Sequence, residues 1–151
     1  MIRSITDKEE KSKITRSILE QLTDWFAVPE SREEYISGCR DWIYAADFEG
    51  DVPVGFICLK ETGKATAEIA VMGALKEYHG KGIGRRLVEQ IKKAAKGIGY
   101  EFLQVKTVKM GMYDDYDRTN KFYLAVGFKE FEVLPIWDEL NPCQIYVMAL
   151  N

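Results

Sequence analysis

Lys76-Glu-Tyr-His-Gly-Lys-Gly-Ile-Gly-Arg-Arg-Leu-Val-Glu89 follows directly on a strand-like segment, Ala67 to Leu75. Three glycines, Gly80, Gly82 and Gly84, open a helix whose apolar residues Leu87, Ile91, Ala94 and Ile98 recur at helical spacing. Closely spaced glycines let main-chain N–H groups converge without obstruction by Cβ atoms, and the helix N-terminus adds the positive end of its dipole. His79, Lys81, Arg85 and Arg86 surround the same point with donors and positive charge. A strand–loop–helix unit built this way suits a pyrophosphate.

Two common phosphate loops do not fit. No Lys-Ser or Lys-Thr pair follows the glycines, as a P-loop requires. A G-x-G-x-x-G fingerprint read from Gly80 finds its last glycine one place early, at Gly84; read from Gly82, it meets Leu87. The pattern that does fit is [Q/R]-x-x-G-x-[G/A], with His79 in the first place and Gly82 and Gly84 in the last two. A second segment about forty residues on, Asp117-Arg-Thr-Asn-Lys-Phe-Tyr-Leu-Ala-Val-Gly-Phe128, reads as a helix with Asp117 as N-cap. Gly127 and Phe128 would close that helix. In order and spacing the two segments resemble the GCN5-related N-acetyltransferase (GNAT) family. His79 stands where that family has Gln or Arg, and Tyr116 stands where it often has an asparagine.

The rest of the chain is compatible with that resemblance. One domain over residues 1–151 is expected, since 46% hydrophobic content fills one core. The absence of an 18-residue apolar run or an apolar leader argues against membrane partners and for a cytoplasmic protein. Cys39, Cys58 and Cys143 are odd in number and far apart, which argues for a reducing compartment. None lies beside His79, the single histidine, so no metal site is expected. A net charge of −3 disfavours nucleic acid.

Walking the chain, Arg3 to Ile5 predicts a short strand and Thr6-Asp-Lys-Glu9 a capping box for a helix with Ile14, Ile18 and Leu22 on one face. Ser31-Arg-Glu-Glu34 offers a second capping box for a short helix toward Arg40. Trp42–Phe48 and Pro53–Lys60 read as a hairpin turning at Glu49-Gly50-Asp51. Later strands are expected over Phe102–Val108, Phe128–Leu134 and Ile145–Leu150. The resemblance implies an α/β (α+β) three-layer fold. Its central mixed, mostly antiparallel twisted sheet would have about 6–7 strands, flanked by about 4 helices. Edge strands near the C-terminus leave a homodimer open.

The resemblance also implies acetyl-CoA as acyl donor and N-acetyl transfer to a primary amine of a small molecule or peptide through a ternary complex. Cofactor contacts are then expected from Met72, Gly73 and Ala74 on the strand and from His79, Gly80, Lys81, Gly82, Ile83, Gly84 and Arg85 in the loop. Met72 and Ala74 would act through their main chain, and the Met72 N–H would face the thioester oxygen. Tyr123 matches the family tyrosine that can protonate the departing thiolate. Glu68, eleven residues before His79, matches the catalytic glutamate of the family's histone-acetylating branch and is the candidate general base. The alternative for Glu68 is a solvated or ion-paired carboxylate, and for Tyr123 a packed core aromatic. Acceptor contacts are expected from Trp25 and Phe26, between the first two helices, and from Trp137, between the last two strands. Other readings of the chain are a non-catalytic CoA-binding sensor and a domain for another phosphate ligand.

Overall fold

The computed structural model describes residues 1–151. The chain runs β1 (Ile2–Ser4), α1 (Lys8–Leu19), α2 (Pro29–Gly38), β2 (Ile43–Glu49), β3 (Val52–Glu61), β4 (Thr66–Ala74), α3 (Ile83–Ile98), β5 (Phe102–Val108), α4 (Asp114–Ala125), β6 (Lys129–Asp138) and β7 (Asn141–Ala149). One sheet of seven strands holds them in the order β1-β2-β3-β4-β5-β7-β6. Every neighbouring pair is antiparallel except β4 with β5. That parallel pair is joined by α3, the crossover connection a parallel pair needs. The mixed sheet and its four helices are those expected from the sequence.

α1 and α3 cover opposite faces of the sheet. A Cβ at Gly73 would meet Leu22 and Ile18 beside α1, whereas a Cβ at Gly55 would meet Ile83 and Leu87 of α3. Gly73 pairs with Phe56, the neighbour of Gly55, so the two glycines face opposite ways. The core gathers Ile18 and Leu19 from one side, Leu87, Val88 and Ile91 from the other, and Phe56, Ile57 and Leu59 between them.

Three local predictions shift. Asp7, not Thr6, caps α1, its carboxylate accepting from the Glu10 N–H. α2 starts at Pro29 with no side-chain cap, two residues ahead of the expected Ser31 box, because proline at the first helical position already has helical φ. α4 starts at Asp114, and Asp117 is not its cap; the Asp117 carboxylate accepts from the Gly111 N–H at 2.7 Å instead. The closure of α4 is as expected: Phe128 N–H bonds to Tyr123 O, Gly127 N–H to Leu124 O, and Gly127 has φ 110°. This is a Schellman motif, with the Phe128 ring packed on Tyr123.

A buried carboxylate ties α3 to the sheet. Asp47 on β2 accepts from Arg86 Nη2 at 3.0 Å and from the Met1 ammonium at 2.9 Å. Burial alone would raise this carboxyl, but the hydrogen bonds and charges of the Met1 ammonium and Arg86 outweigh it and hold the group below its usual value. A carboxyl depressed in the folded state stabilises fully above its unfolded pKa of about 3.9, and this stabilisation is lost as pH falls through the folded value. Asp47→Asn should therefore lose about 2 kcal/mol at neutral pH. In denaturant titrations at a series of pH values, the gap from wild type should narrow as pH falls below the unfolded value of about 3.9.

Candidate active site

β4 and β5 are hydrogen-bonded only through Thr66–Phe102, Ala67–Leu103 and Glu68–Gln104, and then part. A register irregularity against β3, between Cys58 and Leu59, falls where Ala70 has no partner and locally bends β4. Beyond Glu68 the β5-side edge of β4 is thus without a strand partner. Leu75 N–H bonds to Val54 O of β3, so by alternation along the strand the main-chain groups of Met72 and Ala74 point the other way, to the open side.

That open side is a cavity of about 960 Å³. At one end lies the glycine loop. Gly82, at φ 80°, is the N-terminal boundary residue of α3 and offers no side-chain cap, so the N–H groups of the first turn remain available. Gly84 lies against α4: a Cβ there would stand 2.9 Å from the Phe122 ring. Arg85 lines the cavity beside the loop. Arg86 turns away, to Asp47 and to the Lys81 carbonyl. A phosphate-sized anion fits this arrangement of bare N–H groups and one adjacent guanidinium.

His79 also lines the cavity, with Nε2 2.8 Å from Ala74 O, so its ring joins the loop to the end of β4. Trp25 packs edge-on against the His79 ring at 5.7 Å. The expected residues Trp25, Phe26, Met72, Gly73, Ala74, His79, Gly80, Gly82, Ile83, Gly84, Arg85, Tyr123 and Trp137 all border this one cavity. Lys81 and Glu68 do not. The Lys81 ammonium lies over the Tyr78 ring, 5.1 Å from its centroid. The Glu68 carboxylate accepts from Lys106 Nζ at 2.8 Å, and Lys106 is the member of the pair that reaches the cavity.

Tyr123 is 6% exposed and packs against Phe122, Phe128 and Tyr146. Its hydroxyl has no protein hydrogen-bond partner and remains at the cavity wall. Burial pushes the phenol well above its usual pKa, so the group stays protonated at neutral pH and has a proton to donate. On the previous turn of α4, Asn120 is fully buried and ties the helix to β5 and to Tyr146, on which Tyr123 packs. Asn120 Nδ2 donates to Val108 O at 2.8 Å and Tyr116 O at 2.7 Å, and its Oδ1 accepts from the Tyr146 hydroxyl at 2.5 Å.

Three residues here escaped the sequence reading: Tyr35, Lys106 and Asn120. Tyr35 of α2 lines the cavity on the face of Glu68, and its phenol is raised by burial and by the Glu68 charge. No local spacing marks these residues, because their partners lie on other elements.

The same fold recurs among proteins of known structure. A GNAT-family protein from Desulfovibrio desulfuricans superposes with a TM-score of 0.87 at 18% identity, covering 100% of this chain and 99% of the other. An aminoglycoside 6'-N-acetyltransferase complexed with coenzyme A superposes with a TM-score of 0.78 at 20% identity, over 100% and 97% of the two chains. In sequence, an uncharacterized N-acetyltransferase of Chlorobaculum tepidum is 29% identical over 136 residues, 84% of this chain and 80% of that protein. The family model described as "Acetyltransferase (GNAT) family" matches residues 12–128, well over half the chain. The chain therefore belongs to the GNAT acetyltransferases, enzymes that take their acyl group from acetyl-CoA. The recognition made on the glycine loop and the late helix was correct, as was the class of enzyme it implied.

Proposed function

We propose that the protein acetylates a primary amine of a small molecule or peptide by direct attack on acetyl-CoA within a ternary complex. The observation that carries this reading is the continuity of one cavity. It runs from the uncapped N-terminus of α3, along the unpaired edge of β4, to the Tyr123 hydroxyl and on to an aromatic end at Trp137. Acetyl-CoA supplies an activated acetyl thioester and departs as the thiol. The N–H groups of Gly80, Gly82, Ile83 and Gly84, with the Arg85 guanidinium, hold its pyrophosphate, while the Lys81 N–H is engaged by the Tyr78 carbonyl. Main-chain groups of Met72 and Ala74 hold the extended arm in the manner of an added strand, with Gly73 between them facing α1. The Met72 N–H is the donor available to the thioester oxygen, and one such donor contributes roughly 3–4 kcal/mol to an acyl-transfer transition state.

The protein's own groups complete the chemistry. Tyr123 gives its hydroxyl proton to the thiolate sulfur and regains one, through water, from the nitrogen as it becomes the amide. Glu68 takes the proton of the incoming ammonium through water, since it stands behind the cavity lining. Cys39, Cys58 and Cys143 are buried and none borders the cavity, which favours direct attack over an acyl-cysteine. Trp137 walls the acceptor end, where an ammonium gains cation–π attraction, and Trp25 and Phe26 face the acceptor's path from the α1–α2 link, Trp25 beside His79. The edge strand β6 leaves Phe131, Val133 and Ile136 exposed, which supports a homodimer through this edge.

Trp137→Ala should raise the acceptor KM about tenfold, the upper range of one cation–π contact, with kcat and acetyl-CoA affinity unchanged. The reading as a whole is tested by thiol release from acetyl-CoA with a panel of polyamines, aminoglycosides, amino acids and lysine or N-terminal peptides. Release dependent on one class supports it. Saturable acetyl-CoA binding with no release for any amine would contradict it.

A further inference from the structure

Lys106 lies on β5, on the sheet face shared with Glu68 and Tyr35, and borders the cavity where β4 and β5 part. Its side chain is 27% exposed against 10% for Glu68, so the ammonium, not the carboxylate, meets the cavity. Of the three donors of a lysine ammonium, one is engaged, by Glu68 Oε1 at 2.8 Å. The rest are left for a ligand.

The other charged groups around the cavity have different engagements. Arg85 belongs to the glycine-loop end and reaches toward Ala125 O. Arg118 is ion-paired with Asp115 one turn away on α4. Asp138 closes the β6–β7 turn, its Oδ1 accepting from Leu140 N–H and Asn141 Nδ2. Lys106 is therefore the one cation at the fork of β4 and β5 with donors to spare. Its Glu68 partner cancels its charge only in part toward the cavity. Ala70 of β4 and Val105 of β5 line the cavity at the same fork, and beside such an apolar wall an anion gains more from a charge-assisted bond than it would in water.

We infer that Lys106 binds a carboxylate of the acceptor, so that the acceptor class is an amine bearing a nearby carboxylate, such as a free amino acid. The inference rests on the proposed reading that this end of the cavity takes the amine. A carboxylate on Lys106 leaves the amine of the same small molecule between the fork and Tyr123, where the acetyl group has to be delivered. Polycationic acceptors would instead bring like charge to Lys106.

Matched pairs test this: leucine with leucinamide, and phenylalanine with phenylalaninamide. Each is measured both for thiol release with acetyl-CoA and for binding to the CoA-saturated protein by calorimetry. Wild type should prefer the carboxylate partner at least tenfold in both assays. Lys106→Met should erase the preference, and Lys106→Arg should keep most of it. Acetyl-CoA affinity should stay within twofold throughout, which also shows that the variants are folded. Loss of turnover on both members equally in Lys106→Met, with the preference intact, would mean that Lys106 serves only to orient Glu68 and would overturn the inference. Turnover without carboxylate preference in wild type, or no binding of either member, would overturn it too. Carboxylate-selective binding without any turnover would sustain the inference while contradicting the proposed transfer reaction.

Discussion

Tyr123→Phe should lower kcat by roughly 10²- to 10³-fold, the span of a lost general acid, while acetyl-CoA affinity changes less than about twofold. The expectation follows from what the hydroxyl does and does not touch. The ring packs on Phe128 at 5.7 Å, Phe122 at 5.6 Å and Tyr146 at 6.0 Å, and phenylalanine preserves all three contacts. No protein group hydrogen-bonds to the hydroxyl, so its removal leaves no buried partner unsatisfied. The folded state should therefore be as stable as wild type or slightly more so. Because burial raises the Tyr123 phenol, its deprotonation does not enter the neutral pH range, and any fall in rate between about pH 8 and 10 belongs to another group. That limb should persist in the phenylalanine variant at its lower rate. Equal turnover by the two proteins would return Tyr123 to the role of a core aromatic.

Gly82→Val should abolish measurable acetyl-CoA binding, with Kd raised at least a hundredfold. At φ 80°, a β-branched residue is strained by about 1–3 kcal/mol and relaxes by rotating the peptide that presents the first N–H groups of α3. The new Cβ would also stand 3.3 Å from Arg86 Nη1, the group that holds the Lys81 carbonyl. Losing two charge-assisted N–H bonds of about 1.5–3 kcal/mol each more than accounts for a hundredfold change. A strain of this size is small against a domain stability of about 5–15 kcal/mol, so the variant should fold. Gly99→Val is the matched control: Gly99 has φ 115° at the other end of α3, away from the cavity. It should cost similar stability in thermal unfolding and leave acetyl-CoA binding intact.

The sequence made the strand–loop–helix unit legible because glycine spacing and helical periodicity are local signals. The α4 closure was legible for the same reason, since its Gly127-Phe128 pair acts on the turn just before it. Boundaries set by competition were not. Asp7 outcompeted Thr6 as cap, Pro29 started α2 before Ser31, and Asp117 was captured by Gly111. The stretch Leu134–Cys143, expected to be largely loop, is mostly strand, because β6 and β7 pair at Leu134–Cys143 and, past an irregularity, again at Asp138–Asn141. Polar residues whose partners are remote were the least legible. Glu68 stands out in an apolar strand, but that it meets Lys106, 38 residues later, depends on the parallel pairing of β4 with β5. Asn120 gives no hint in sequence that it bridges β5, α4 and β7.

The central claim is that one cavity, defined by the bare N-terminus of α3 and the free edge of β4, holds acetyl-CoA. Calorimetric titration of the wild-type protein with acetyl-CoA tests it most directly. Saturable binding of one acetyl-CoA per chain, displaced by CoA and absent in Gly82→Val, is the predicted result. Absence of binding by the folded wild-type protein, or undiminished binding by the folded Gly82→Val variant, would contradict it.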